Sequence, residues 1–175
     1  MSIVLECRGL HKRFAVGVGS CGASAQVLRG VDLSVREGER LAVVGSRGVG
    51  KSTLLLCAAG LLKPEVGEIR WFGHSSPPRS PRAIAYHWTP VDFARASTAD
   101  GVGIHLVDFG SAVDWPPRLA EWAKRRCDVG ETIVLATRDE GAARALASRI
   151  LFLRRGRLSP LARGDAAARV AEPDA

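Results

Sequence analysis

No stretch of this sequence is apolar for long enough to cross a bilayer. The longest such run, Leu54 to Leu62, falls far short of the roughly 20 residues a spanning helix needs. The N-terminus, Met1-Ser2-Ile3-Val4-Leu5-Glu6-Cys7-Arg8, carries charges where a secretory leader needs an apolar centre. Together these features predict a cytoplasmic protein. Paired cysteines are lacking as well: Cys7, Cys21, Cys57 and Cys127 are scattered with no C-x-x-C. That spacing argues against disulfides or a zinc site in such a compartment and suits small core residues, with Cys21 as a surface thiol. Lysine is scarce beside arginine, so the net charge of +7 is mainly guanidinium. Positive charge of this size fits a nucleic acid or an anionic membrane surface. The arginines are dispersed, however, and no basic run is interleaved with aromatics that would stack bases. Coding bias accounts for them as well, and nucleic acid is not the expected partner.

What the chain does have is Gly45-Ser46-Arg47-Gly48-Val49-Gly50-Lys51-Ser52-Thr53, which fits the phosphate-loop pattern G-x-x-x-x-G-K-[ST] at every fixed position. Leu41-Ala42-Val43-Val44 before it is an unbroken apolar run, as expected of a strand buried on both faces. Leu54-Leu55-Leu56-Cys57-Ala58-Ala59 after it suits a buried helix. In that context the glycines let the backbone wrap an anion with its N–H groups inward, and the helix N-terminus adds its positive dipole end. Lys51 then reaches the β- and γ-phosphates and the Ser52 hydroxyl is placed to ligate Mg²⁺. A nucleoside triphosphate is the expected ligand. Arg47 is unusual inside such a loop, and the sequence leaves open whether it faces solvent, phosphates or a partner.

At 175 residues the chain has room for one domain with a real core. Ile3-Val4-Leu5 opens a half-buried strand, Ala15 to Gln26 reads as a flexible hairpin loop, and Val27 to Val35 becomes a period-2 strand. Gly60 ends the helix after the phosphate loop. Further strands are predicted at Glu68–Gly73, Ala83–Tyr86, Ile104–Asp108, Ile133–Ala136 and Ile150–Leu153, the last turning at Arg155-Gly156-Arg157. Helices are predicted after Pro116-Pro117, with Leu119, Trp122, Ala123 and the polar exception Arg126 on one face, and at Glu140–Ser148. His74–Arg82 reads as an exposed loop, and Thr89–Gly103 shows no sustained periodicity. Alternating strands and helices predict an α/β fold: a P-loop NTPase core with a mainly parallel sheet flanked by helices, plus an N-terminal antiparallel β subdomain. The domain spans residues 1–158, and 159–175 form an Ala- and Arg-rich tail.

The chain resembles the ATP-binding cassette of ABC transporters. Gly9-Leu10-His11-Lys12-Arg13-Phe14 is similar to the opening strand and A-loop, which puts Phe14 on the adenine; its residue type alone equally suits core packing. Val27 to Leu33 with Glu37-Gly38-Glu39, and Leu61 to Ile69, resemble the family's flanks of the phosphate loop. Asp108 ends a strand as the Walker B aspartate does, which implies a Mg²⁺ role against the alternative of a turn cap. Ser111-Ala112-Val113-Asp114 resembles the D-loop. Ala136-Thr137-Arg138-Asp139 and Ser148 to Leu158 resemble the C-terminal switch region. The resemblance implies ATP and Mg²⁺ as cofactors, and a permease or a complete cassette as partner at the inner face of the membrane.

The departures from the family fall on catalysis. Phe109 stands where the family's glutamate polarises water, and it can neither accept a proton nor orient water. Arg138 replaces the switch histidine; a guanidinium binds phosphate but relays no proton, and a solvent-exposed arginine is the other reading. Thr89 falls at the Q-loop glutamine. Only Thr89–Gly103 remains of the helical subdomain, and no LSGGQ signature occurs in the chain. The expectation is a cassette that binds Mg-ATP with weak or no hydrolysis and acts as a regulatory or scaffolding subunit. The alternatives are an active ATPase powering a permease and an interaction module that no longer binds nucleotide. His105, among apolar strand residues, reads as a hydrogen-bonded core histidine, while His11, His74 and His87 receive no role. Trp71, Trp88, Trp115 and Trp122 are expected to pack, with Trp88 and Trp115 available to cover surface left bare by the missing subdomain.

Overall fold

The computed structural model describes residues 2–16, 23–80, 83–88, 103–109 and 119–160. Two sheets organise them. The first is antiparallel, order β2-β1-β4, built from β1 (Ile3–Val16), β2 (Ala23–Arg36) and β4 (Val66–Trp71). The second has the order β5-β6-β7-β3-β8-β9 and comprises β3 (Arg40–Val44), β5 (Ile84–Trp88), β6 (Ile104–Asp108), β7 (Thr132–Thr137), β8 (Arg149–Arg154) and β9 (Arg157–Pro160). Its first five strands run parallel, and β9 returns antiparallel to β8. Helices α1 (Lys51–Ala58), α2 (Leu119–Asp128) and α3 (Glu140–Leu146) complete the described elements. The α/β core with a separate antiparallel piece is therefore as the sequence predicts.

Strand alternation divides the parallel sheet between two cores. Leu41, Val43, Ile104, Leu106, Val134, Ala136, Leu151 and Leu153 face α1 and the antiparallel sheet, joining Leu5, Leu10, Val31, Leu54 and Trp71 in one cluster. Ala42, Val44, Val107, Ile133, Leu135 and Phe152 face the other way, onto Trp122 and Ala123 of α2 and Ala143 and Leu146 of α3. Both faces are covered, which is why these strands read as unbroken apolar runs.

Several boundaries differ from the sequence reading. The loop expected over Ala15–Gln26 is shorter, because β1 continues to Val16 and β2 begins at Ala23, with Val16 opposite Ala23. Ladder hydrogen bonds are made by the backbone, so Ser, Ala and Gln hold their places without strand-favouring side chains. β5 extends through His87 and Trp88, beyond the predicted Tyr86. β4 begins at Val66 and ends at Trp71, because Phe72 (φ 51°) and Gly73 (φ 83°) turn the chain away. The sequence reading has no counterpart for β9, which takes in Ser159 and Pro160 from the expected tail. Arg155 (φ 47°) and Gly156 (φ 76°) join it to β8 as the two left-handed centres of a tight hairpin. The expectations for Cys21, Thr89, Ser111–Asp114, Trp115, Pro116-Pro117 and residues 161–175 lie outside the described residues.

Candidate functional site

The site is built where β3 stops. Val44 is the last strand residue, the Gly45 N–H donates to the Thr137 carbonyl of β7 at 3.2 Å, and the chain loops through Gly50 into α1. Two glycines are obligatory here. A Cβ on Gly45 would lie 2.6 Å from the Leu153 carbonyl oxygen of β8. Gly50 has φ +107°, and a Cβ there would meet Val27 Cγ1 of β2 at 2.5 Å. Ser46, Arg47, Gly48 and Ser52 are exposed, Val49 and Thr53 half-buried, and Lys51 buried. The question left open for Arg47 is answered in part: it stands on the exposed rim of the loop.

Lys51 arches back over its own loop. Its Nζ donates to the carbonyls of Gly45 at 2.7 Å and Ser46 at 2.8 Å. Burial pushes its pKa below the ordinary lysine value, Asp108 opposes that shift, and Arg138 adds to it. Lys51 thus feels a carboxylate from the end of β6 and a guanidinium from just past β7, at the C-terminal edge of the parallel sheet where open α/β sheets bind their ligands. Asp108, the last residue of β6, is 2% exposed. One of its carboxylate oxygens accepts a hydrogen bond from the Tyr86 hydroxyl at 3.1 Å. Arg138 is exposed just past β7.

The next residue along from Asp108 goes the opposite way. Phe109 is 4% exposed in the core beneath α2 and α3, and its N–H donates to the Ala136 carbonyl at 3.1 Å. Phe14 is not a core residue. It lies opposite Ala25 on the β1–β2 hairpin, 40% exposed, with the Lys12 ammonium 5.5 Å from its ring centroid. Val27, two residues along from Ala25, is the side chain that packs against Gly50, so this end of the hairpin leans towards the loop.

Among the described residues, no group of three or more His, Cys, Asp or Glu side chains could hold a metal ion. A carboxylate and a hydroxyl, Asp108 and Ser52, are hard oxygen donors of the kind Mg²⁺ accepts. Magnesium commonly takes only one or two protein ligands and keeps water and phosphate for the rest. The residues present fit that ion.

Two features escape sequence reasoning. The first is the Tyr86–Asp108 hydrogen bond. The second lies on the opposite face, where His87 Nε2 and His105 Nδ1 are 3.0 Å apart and His105 Nε2 is 3.0 Å from Glu131 Oε2. Arg126 Nη1 approaches the same glutamate oxygen at 3.5 Å, and Trp122 packs edge-on against both imidazoles. His105 is the hydrogen-bonded core histidine that the sequence predicts. His87, given no role, is its partner; the available signal was that β5 and β6 each place a histidine among apolar residues. The Trp71 indole is also a packing residue, as expected, with its N–H on the Ala58 carbonyl at 2.7 Å. Trp88, by contrast, is 68% exposed.

Comparison with known proteins adds the family. Residues 28–98 match the family model described as ABC transporter. The cytochrome c biogenesis ATP-binding export protein CcmA of Hyphomonas neptunium is 31% identical over 133 residues, covering 71% of this chain and 68% of that protein. The chain belongs to the ABC transporter ATP-binding proteins. Other ABC relatives match over less of their length. The hemin import ATP-binding protein HmuV of Nocardia farcinica is 40% identical over 53% of this chain, but only 28% of HmuV is covered. A putative ABC transporter ATP-binding protein of Methanosarcina acetivorans is 48% identical over 34% of the chain, which is 9% of that relative's length. The ABC fold is independently evident from solved structures. The dimeric post-hydrolysis state of the cassette MJ0796, bound to ADP and Pi, superposes with a TM-score of 0.72 at 17% identity, covering 90% of this chain and 99% of that one. A nucleotide-free ABC cassette gives 0.65 at 13% identity, with 90% of each chain covered. No helix among the described residues of this ABC protein is long and apolar enough to cross a membrane.

Proposed function

We propose that the chain binds Mg-ATP in the loop Gly45–Thr53, turns it over weakly or not at all, and serves as a regulatory or scaffolding partner of an ABC permease or of a complete cassette. The observation that carries the first part is the close fit of Gly45 and Gly50 against β8 and β2, with Lys51 and Asp108 electrostatically coupled beside them. In this reading the loop amides, Lys51, Ser52 and Thr53 hold the phosphates, Ser52 and Asp108 hold Mg²⁺, and Phe14 lies against the adenine. Bound Mg²⁺ would supply charge neutralisation between the β- and γ-phosphates. Lys51 would leave the carbonyls of Gly45 and Ser46 for phosphate oxygens, which return more than two neutral acceptors do.

Weak turnover is supported by what stands next to Asp108. A phenyl ring committed to the core offers no proton acceptor for an attacking water, and the exposed guanidinium of Arg138 is a binding group with no proton to relay at working pH. Saturating Mg-ATP at a hundredfold excess over Kd is expected to stabilise the chain by about 2.7 kcal/mol, and Lys51→Ala to abolish that gain. An unchanged melting temperature with Mg-ATP removes the nucleotide from the proposal. Steady-state turnover at the rate of ordinary transport ATPases, abolished by Lys51→Ala, removes the regulatory reading in favour of an active ATPase.

A further inference from the structure

The arginines are dispersed along the sequence, but the fold gathers five of them around the phosphate loop. β8 runs parallel to β3 with Phe152 opposite Val44, so the β8–β9 hairpin leaves the sheet at the same edge as the loop. Two contacts tie hairpin and loop together. A Cβ on Gly45 would lie 2.6 Å from the carbonyl oxygen of Leu153, the residue next to Arg154. Val27 touches both parts: a Cβ on Gly50 would meet its Cγ1 at 2.5 Å, and a Cβ on Gly156 would meet its carbonyl oxygen at 2.7 Å. Around these contacts stand Arg154, Arg155 and Arg157 of the hairpin and Arg47 of the loop itself. Arg29 of β2 joins them, its N–H donating to the Gly156 carbonyl at 2.8 Å. All five are exposed, and among the described residues none of the five has a carboxylate partner. Arg154 rests over the Phe152 ring at 5.8 Å. The nearby acids past β7 serve α3 instead: Asp139 accepts from the Ala142 N–H at 3.0 Å and Glu140 holds Arg144 at 2.6 Å.

We infer that these five arginines form an electrostatic rim that steers the anionic nucleotide into the loop, setting how fast it arrives and not how long it stays. This inference rests on the Mg-ATP reading of the loop. Five exposed like charges side by side repel one another and add nothing to the stability of the fold. Their shared field does reach outward, and a concave site walled by protein focuses it on an approaching polyanion. A nucleoside triphosphate stays anionic even with Mg²⁺ bound, so it feels that field at a distance. Rim charges remain hydrated while they act, so they change association and its salt dependence, whereas groups desolvated on the ligand govern release. In this division of labour the loop amides and Lys51 hold the phosphates, and the rim delivers them. Guanidinium suits the task because it is charged at every working pH.

The test separates arrival from release. Binding of a fluorescent ATP analogue with Mg²⁺ is followed by stopped flow at ionic strengths of about 0.01 M and about 0.15 M, where charges are screened beyond roughly 30 Å and roughly 8 Å. The wild type is compared with a hairpin variant, Arg154→Gln, Arg155→Asn and Arg157→Gln; asparagine is chosen at 155 because it tolerates the left-handed backbone there. A control variant, Arg36→Gln, Lys124→Gln and Arg125→Gln, loses the same charge from exposed positions towards the opposite edge of the sheet. At low salt the hairpin variant is expected to associate roughly threefold to tenfold more slowly, a part of the tenfold or more that steering supplies. Its dissociation rate is expected to match the wild type's, its loss of association rate on adding salt to be smaller, and the control to behave as the wild type does. An unchanged association rate in the hairpin variant, an equal fall in the control, or a change confined to dissociation overturns the inference. A wild-type chain that does not bind the analogue, or that binds it as well after Lys51→Ala, overturns the reading of the loop and the inference with it. The two failures are therefore distinguishable in one data set.

Discussion

The two faces of the parallel sheet treat charge in opposite ways. On the α1 face the charges gather at the sheet's C-terminal edge: Lys51 donates to two loop carbonyls and feels both Asp108 and Arg138, and Asp108 accepts from the Tyr86 hydroxyl. On the α2 face the charges lie inside, where Arg126 and Glu131 are paired and His105 and His87 extend the chain of hydrogen bonds. The first arrangement sets its charges at the edge where the proposed ligand would bind. The second satisfies its charges internally, as buried ions require. One step along β6 separates them, since Asp108 belongs to the first face and Phe109 to the second. A residue's neighbours in sequence therefore say little about which regime it enters; the parity of its position in the strand decides.

The largest expected effect follows from that parity. Phe109→Glu puts a carboxylate into the core of Trp122, Val107 and Phe152. Loss of the buried ring alone costs about 3–5 kcal/mol, and an unpaired charge in its place adds to that. Native stabilities run to roughly 5–15 kcal/mol, so the variant is expected to be mostly unfolded by denaturant titration and to show no gain in ATP turnover. A variant that melts like the wild type and hydrolyses ATP would show that position 109 belongs to the ligand face after all.

A smaller effect tests the internal pairing. Glu131→Gln keeps the side-chain volume but removes the carboxylate charge beside Arg126 and offers His105 Nε2 an amide of either orientation. Breaking one partner out of a buried pair costs about 3 kcal/mol or somewhat more, read as a shift in the urea midpoint. Arg126→Met combined with Glu131→Gln is expected to cost less than the sum of the two single variants. Strict additivity would mean that the 3.5 Å approach contributes nothing.

What was legible in the sequence divides along the same line. β3, β6, β7 and β8 announce themselves because a parallel strand covered on both faces must be apolar throughout, and the phosphate loop because its glycines are dictated by contacts of 2.5 and 2.6 Å that any other residue would violate. β9 is illegible for the converse reason. Arg157-Leu158-Ser159-Pro160 is an edge strand in which Leu158 alone packs on the core, and Pro at its end is tolerated because an edge needs no donor on its outer side. Tyr86 could be placed on a strand by pattern, His87 fell beyond the predicted end of that strand, and neither could be given its partner. Their contacts are with Asp108 and His105, 22 and 18 residues away, and depend on the register of β5 against β6. Composition carries no trace of that register. Arg126 was visible only as an exception on an apolar helix face, and the exception is explained by Glu131 beyond the end of that helix.

The smallest expected effect is a dependence of stability on pH that arises on the α2 face. His105 is fully buried, and burial, the largest cause, lowers its pKa below the ordinary 6.5; Glu131 opposes the shift and Arg126 reinforces it. The charged groups around it are Glu131 ahead of β7 and Arg126 of α2, and His87 of β5 stacks on it at 5.3 Å. In the unfolded chain the imidazole takes up a proton as pH falls through 6.5, whereas in the native chain it resists until pH is lower. Across that window the unfolded state binds more protons, so stability is complete above 6.5, declines as pH falls below it, and levels off beneath the native pKa. The wild type is therefore expected to melt at a lower temperature at pH 5.5 than at pH 7.5 (roughly one unit either side of the ordinary value). His105→Asn, which keeps a polar side chain but does not titrate, is expected to show a smaller difference between the two conditions. Lys51 and Asp108 belong to the other face, so Lys51→Ala should leave that difference as it is in the wild type. Equal differences in wild type and His105→Asn would place the pH sensitivity elsewhere, and a difference removed by Lys51→Ala would erase the distinction between the faces.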